Sequence, residues 1–196
     1  MLYSATCEDC FIASHVHLPT HWAKVWDKTS GFFVRHDIAA LRNGACSLFL
    51  GHGGQPCPSK FSTDLIFCIV DANGIHNTRI RFCACNGLPN RADQLIKAHL
   101  FPATVTQPTT AFTFRVLRQF HLHHLESKET AHDFMDALQR LTDNTFPRTV
   151  PVGCFLRLRA ISVSEIRFSL GSFNSASTCH ACLALAHRYK AVRTST

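Results

Sequence analysis

Cysteines and histidines between residues 52 and 85 have the types and spacing to hold a metal ion. The two relevant runs read HGGQPCPSK, from His52 to Lys60, and NGIHNTRIRFCACNG, from Asn73 to Gly87. Cys83 and Cys85 are two positions apart, so on a continuing strand both thiols point to one side. Cys57 lies in a Gly/Pro loop that can bend toward them. A structural zinc ion takes four ligands, mostly Cys and His, at about 2.0–2.3 Å. Cys57, Cys83 and Cys85 are therefore candidate ligands. The fourth is open. His76 starts the strand that ends in Cys83, but that stretch of straight strand spans about 23 Å at ~3.3 Å per residue. Either the segment 75–85 bends, or His76 serves elsewhere and another group, such as His52, completes the site.

A second constellation opens the chain. Cys7, Cys10, His15 and His21 follow a C-x2-C-x4-H-x5-H pattern, a thiol knuckle and then two imidazoles, which suits one four-ligand zinc ion or the half of a larger cross-braced site. His17 reads as an exposed neighbour. The C-x2-C-x4-H spacing recurs at Cys179, Cys182 and His187, where a single match in a Cys-rich chain carries little weight. Cys46 and Cys68 sit in apolar strand-like runs and read as small buried residues. His121, His123, His124 and His132 fall in helical sequence without the carboxylate partners a bundle metal site needs.

Catalytic patterns are missing from the sequence. It contains no P-loop, no G-x-S-x-G and no H-E-x-x-H. Asp71, Asp93, Asp133 and Asp143 are not in a metal-binding order, so the chain reads as non-catalytic.

Composition narrows the setting. The 196 residues include ten Cys, thirteen His and sixteen Phe, and 46% are hydrophobic, enough for a true core. There is no apolar run of about 18 residues and no secretory leader, so neither a membrane partner nor lasting disulfides are expected. Residues 1–143 hold 13 Lys/Arg against 12 Asp/Glu, whereas residues 144–196 hold 7 against Glu165 alone. The body is near neutral and the tail is basic, which is weak support for binding nucleic acid.

The elements that must position these groups are legible in part. Residues 31–37, 46–51, 64–71 and 75–83 read as strands, the last two as a β-hairpin turning at Asn73-Gly74. Residues 91–101 read as a short helix stopped by Pro102. Residues 109–127 and 127–144 read as an αα-hairpin, N-capped by Thr109 or Thr110 and by Ser127 or Thr130. The expected fold class is α+β: a small zinc-stabilised antiparallel β region, a short helix, an αα-hairpin and a poorly ordered tail. The expected divisions are a zinc-knuckle segment at 1–30, a β-rich cysteine cluster at 31–90, a helical region at 91–146 and a basic tail at 147–196.

Five ordered stretches carry a family resemblance: CEDCFIASHVHLPTHWAKVW, LGHGGQPCP, VDANGIHNTRIRFCAC, LFPATVTQPTTAFTFRVLRQFHL and DFMDALQRLTDNT. They resemble the CxC-type cysteine cluster domain associated with KDZ (Kyakuja-Dileera-Zisupton) transposases, over roughly residues 5–145. The resemblance implies zinc as cofactor, with ligand roles for Cys57, His76, Cys83 and Cys85 and for Cys7, Cys10, His15 and His21. It implies DNA or other transposase subunits as partners, no small-molecule substrate, and a place in the nucleus. The cysteines that precede the Cys7 knuckle in the family are missing, and the tail after RLTDNT leaves the family pattern without its RNase H-like core. The expectation is a shortened or misjoined copy.

Overall fold

The computed structural model describes residues 6–143 except 16, 45, 60–63, 86 and 88–89. The basic tail, with Cys179, Cys182 and His187, lies outside the described residues. Four α-helices, seven strands and two short 3-10 turns give the α+β class expected from sequence.

Helix α1 (Glu8–His15) opens the described chain, with Glu8 and Asp9 in its first turn and His15 in its last. That charge order suits the helix dipole. β1 (Trp22–Asp27) and β2 (Phe32–Asp37) pair antiparallel as a separate two-stranded sheet. The five-stranded sheet has the order β3-β5-β4-β7-β6. It contains β3 (Leu48–Phe49), β4 (Asp64–Asp71), β5 (Gly74–Arg81), β6 (Leu100–Pro102) and β7 (Thr110–Thr113). β4 and β5 form the expected hairpin, with Asp71 opposite Gly74 and Asp64 opposite Arg81. β3 adds to β5 and β7 to β4 in parallel, so the sheet is mixed.

Strand alternation sends successive side chains to opposite faces, and each face has its own core. Val70, Ile75 and Phe112 pack with Val116 and Phe120 of α3 (Phe114–Ser127) and Met135 of α4 (Ala131–Thr142). Phe67, Ile69, Ile80 and Phe82 pack with Leu95 of α2 (Arg91–Lys97). The caps are set by side chains: Asn90 accepts from Asp93 N–H, Thr113 from Val116 N–H and Thr130 from Asp133 N–H.

The helical readings differ from the structure in their starts. TAFT, read as the first turn of a long helix, is β7, and Thr113 rather than Thr109 or Thr110 is the cap. β-branched and aromatic residues favour the pleated strand, and pairing with Cys68, Ile69 and Val70 decides the outcome. α2 ends at Lys97, and Leu100 and Phe101, read as the end of that helix, lie instead in β6, which pairs with β7. Thr130, one of the two expected caps, starts α4.

The turn between β4 and β5 lies beneath the end of α4. Gly74 has φ +135, and a Cβ there would lie 2.7 Å from Thr142 Oγ1. Thr142 Oγ1 in turn accepts the Ile75 N–H at 2.7 Å.

Candidate metal centre

The segment Gly51–Cys57 folds back on the end of the strand that carries Cys83. Gly51 takes φ 90 and ψ 174, a region essentially restricted to glycine. A Cβ at Gly51 would lie 2.8 Å from Cys83 Cβ, so the backbone approach itself requires a glycine. The result brings His52 Nε2 to 3.2 Å from Cys83 Sγ and 3.2 Å from Cys85 Sγ. Cys57 Sγ lies 3.8 Å from Cys83 Sγ and 3.4 Å from Cys85 Sγ. The four ligand atoms all lie within 4.8 Å of one another. Among the described residues they are the group of Cys, His and carboxylate side chains that converges closely enough to hold a metal ion.

Helix α2 fixes one corner. Gln94 Oε1 accepts the Cys83 N–H at 2.8 Å, and Gln94 Nε2 donates to the Cys83 carbonyl at 2.9 Å. One side-chain amide thus engages both backbone groups of a ligand residue, as a neighbouring strand would.

The electrostatics suit a cation. The backbone N–H of Ala84 is the main group that pulls the Cys57 thiol down to about 6. Hydrogen bonding with Cys57, then with Cys83, pushes Cys85 up to about 11. One thiolate is favoured and a second beside it is opposed. A bound cation removes that opposition, because a coordinating thiol is deprotonated outright.

His76 does not join this group. Its ring is fully buried, lies against Trp22 with centroids 4.1 Å apart at a tilt of 34° and bonds Asn73 Oδ1 through Nε2 at 2.8 Å. Its Nδ1 lies 3.5 Å from Asp37 Oδ1. The strand stays straight, so the separation along β5 keeps His76 at one end and the cysteines at the other. Parity gives the same result: Thr78, Ile80 and Phe82 share the buried face with His76, and Cys83 has the opposite parity.

Cys7, Cys10, His15 and His21 form two pairs rather than one centre. Cys10 N–H donates to Cys7 Sγ at 3.3 Å, and a thiol hydrogen bond between the two lowers Cys7 and raises Cys10. The His15 and His21 rings have centroids 5.5 Å apart. Between the pairs lies the body of α1, and five helical residues rise about 7.5 Å. A knuckle reading of CEDCFIASH treats that spacing as a loop; the helix holds it open. His15 Nδ1 donates to the Phe11 carbonyl at 2.9 Å, which leaves its lone pair on Nε2. His17 packs against the loop of His52: a Cβ at Gly54 would lie 3.0 Å from His17 Cε1.

Two residues of the centre were not singled out by the sequence as a set. His52 stood only as an alternative to His76, and its signal was adjacency to the Gly-rich loop that carries Cys57. Gln94 gave no sequence signal, because a glutamine on an amphipathic helix is ordinary surface.

A mixed sheet with helices on both faces and a one-histidine, three-cysteine cluster at a strand end defines a cysteine cluster domain. The family model described as "CxC2 like cysteine cluster associated with KDZ transposases" matches residues 41–146. That is more than half of the chain, and the chain belongs to this family. The matched domain is a cysteine cluster domain and not a catalytic one. Neither a curated protein nor a solved structure matches the chain. Among the described residues no helix is long and apolar enough to cross a membrane.

Proposed function

We propose that His52, Cys57, Cys83 and Cys85 hold one structural zinc ion, and that the domain is a non-catalytic part of a transposase-derived protein that contacts DNA or a transposition partner in the nucleus. The convergence of the four ligand atoms carries this reading. Zn–S bonds of about 2.3 Å and Zn–N bonds of about 2.0–2.1 Å make tetrahedral edges of about 3.8 Å and 3.5–3.6 Å. Four of the six edges, the S···S separations of 3.4 and 3.8 Å and the two N···S separations of 3.2 Å, lie within a few tenths of those values, and the remaining two lie within 4.8 Å. Four protein ligands fill a tetrahedral shell and leave no open position for a substrate, which is the mark of a structural rather than a catalytic zinc. The ion would fasten the Gly51–Cys57 loop to the strand end where the protein supplies little core.

Elemental analysis of the purified chain should find one zinc equivalent, lost in Cys83→Ala. Binding of the zinc-loaded chain to DNA should weaken steeply as salt rises, the signature of phosphate contacts. Absence of DNA binding at low salt would leave the second reading, a protein-interaction module with no nucleic-acid role. The near-neutral balance of residues 1–143 favours that alternative.

A further inference from the structure

The β1–β2 hairpin leaves the body of the protein with its aromatic residues uncovered. Trp26 is 52% exposed, Phe33 66% and Phe32 72%. An isolated two-stranded sheet is marginal in water, and this one is anchored at its base only. Trp22 Nε1 donates to the Asn73 carbonyl at 3.3 Å, and Arg35 donates to the last carbonyls of α4, Leu141 O at 2.8 Å and Thr142 O at 2.6 Å. Arg35 also lies over the Trp22 ring at 4.7 Å.

Cross-strand partners share a face. Trp26 faces Phe33 and Lys24 faces Arg35 on adjacent rungs of one face. The Trp26 and Phe33 rings meet edge to face with centroids 5.1 Å apart. Phe32 pairs with Asp27 on the other face. Asp27, the acid at the tip, is turned into its own loop, where it accepts the backbone N–H groups of Thr29 and Ser30 at 3.1 Å each. Lys24 and Lys28 are exposed and belong to none of the ion pairs among the described residues.

We propose that this face of the hairpin is a stacking platform for a single-stranded nucleic acid, with unpaired bases on Trp26 and Phe33 and the backbone phosphates on Lys24 and Lys28. Aromatic rings beside unpaired cations are the combination that binds single strands without sequence preference. A greasy protein groove would leave Lys24 buried beside the rings, and an acidic partner would not use the rings. The inference rests on the reading of the domain as a DNA-contacting one and names the surface and the strand state.

The test is fluorescence anisotropy of the full zinc-loaded chain with a labelled mixed-sequence single-stranded DNA oligonucleotide and with its duplex. The single strand should bind more tightly than the duplex. Trp26→Ala and Phe33→Ala should each weaken binding roughly 5- to 150-fold, the loss of one stacked base. Phe32→Ala, on the opposite face, should leave it unchanged. Lys24→Gln and Lys28→Gln should each reduce the salt slope on the single strand by about 0.7. Base stacking on the unmodified chain should also quench its tryptophan fluorescence, a readout that needs no variant. DNA binding insensitive to Trp26 and Phe33, or tighter on duplex, would overturn the platform while leaving DNA contact standing. No binding of either form at low salt would overturn both. Self-association lost in Trp26→Ala, without DNA binding, would assign the face to a second copy of the chain.

Discussion

Replacing Gly51 with alanine should damage the metal centre without touching a ligand. The residue has φ 90 and ψ 174, a conformation that costs a side-chain-bearing residue about 1–3 kcal/mol. The new Cβ would also lie 2.8 Å from Cys83 Cβ, against an ordinary carbon–carbon contact of about 3.5–4.0 Å. Relief requires the loop and the strand end to separate by roughly 0.7–1.2 Å, several times the ~0.2 Å tolerance of metal–ligand distances. The metal-free loop is able to relax and the metal-bound loop is not, so the strain falls on affinity. At about 1.4 kcal/mol per tenfold, the backbone cost alone should weaken zinc binding roughly 5- to 150-fold. Competition with a chromophoric chelator measures this directly. Gly31→Ala is the control, since Gly31 also has a positive φ of 73 but nothing lies within 4 Å of its missing Cβ. It should cost a little stability and leave zinc affinity unchanged. Equal affinity in Gly51→Ala and the unmodified chain would refute the claim that close approach of the loop builds the centre.

Gln94→Leu removes both side-chain bonds to the Cys83 backbone. It should lower stability by about 1–3 kcal/mol in urea unfolding and weaken zinc binding, whereas a surface role would predict no change in either. His76→Ala should cost about 2–4 kcal/mol, as a large truncation in the core does, yet retain its zinc; His52→Ala should lose it, and metal content separates the two. Asp71 adds a pH dependence. Burial alone would push its carboxyl up, but the Arg115 guanidinium, the Thr113 hydroxyl and the Ala72 N–H outweigh it and hold Asp71 below the usual carboxylate range. Its contribution is therefore present above about pH 4 and lost as pH falls through the lower folded value. The stability gap between the unmodified chain and Asp71→Asn should narrow below that pH, and a gap constant with pH in urea titrations would contradict this.

The parts legible in the sequence were those fixed by local rules. A continuous apolar run placed β4, alternation placed β5, and the Asn73-Gly74 pair fixed their turn. The Gly/Pro loop and the Cys-x-Cys strand end marked Cys57, Cys83 and Cys85. The partner histidine was not legible, because it depends on how Gly51 reverses the chain, and no local pattern encodes that contact. The parity of β5 was the available signal against His76, since it groups the ring with Thr78 and Ile80 on the buried face. β7 is short, and its pairing with the distant β4 overrides a helical pattern that continues into α3; β6 in turn pairs with β7. β1 left no mark beyond its aromatic residues, because the outer half of its hairpin has no buried face to set an alternation.

X-ray absorption at the zinc edge of the purified chain reads the ligand set itself. Coordination by His52, Cys57, Cys83 and Cys85 requires one zinc ion per chain in a four-coordinate shell of three sulfurs at about 2.3 Å and one imidazole nitrogen at about 2.0–2.1 Å, with the nitrogen component lost in His52→Ala and kept in His76→Ala. A shell of light atoms alone, or a nitrogen component that disappears with His76 instead, would contradict it.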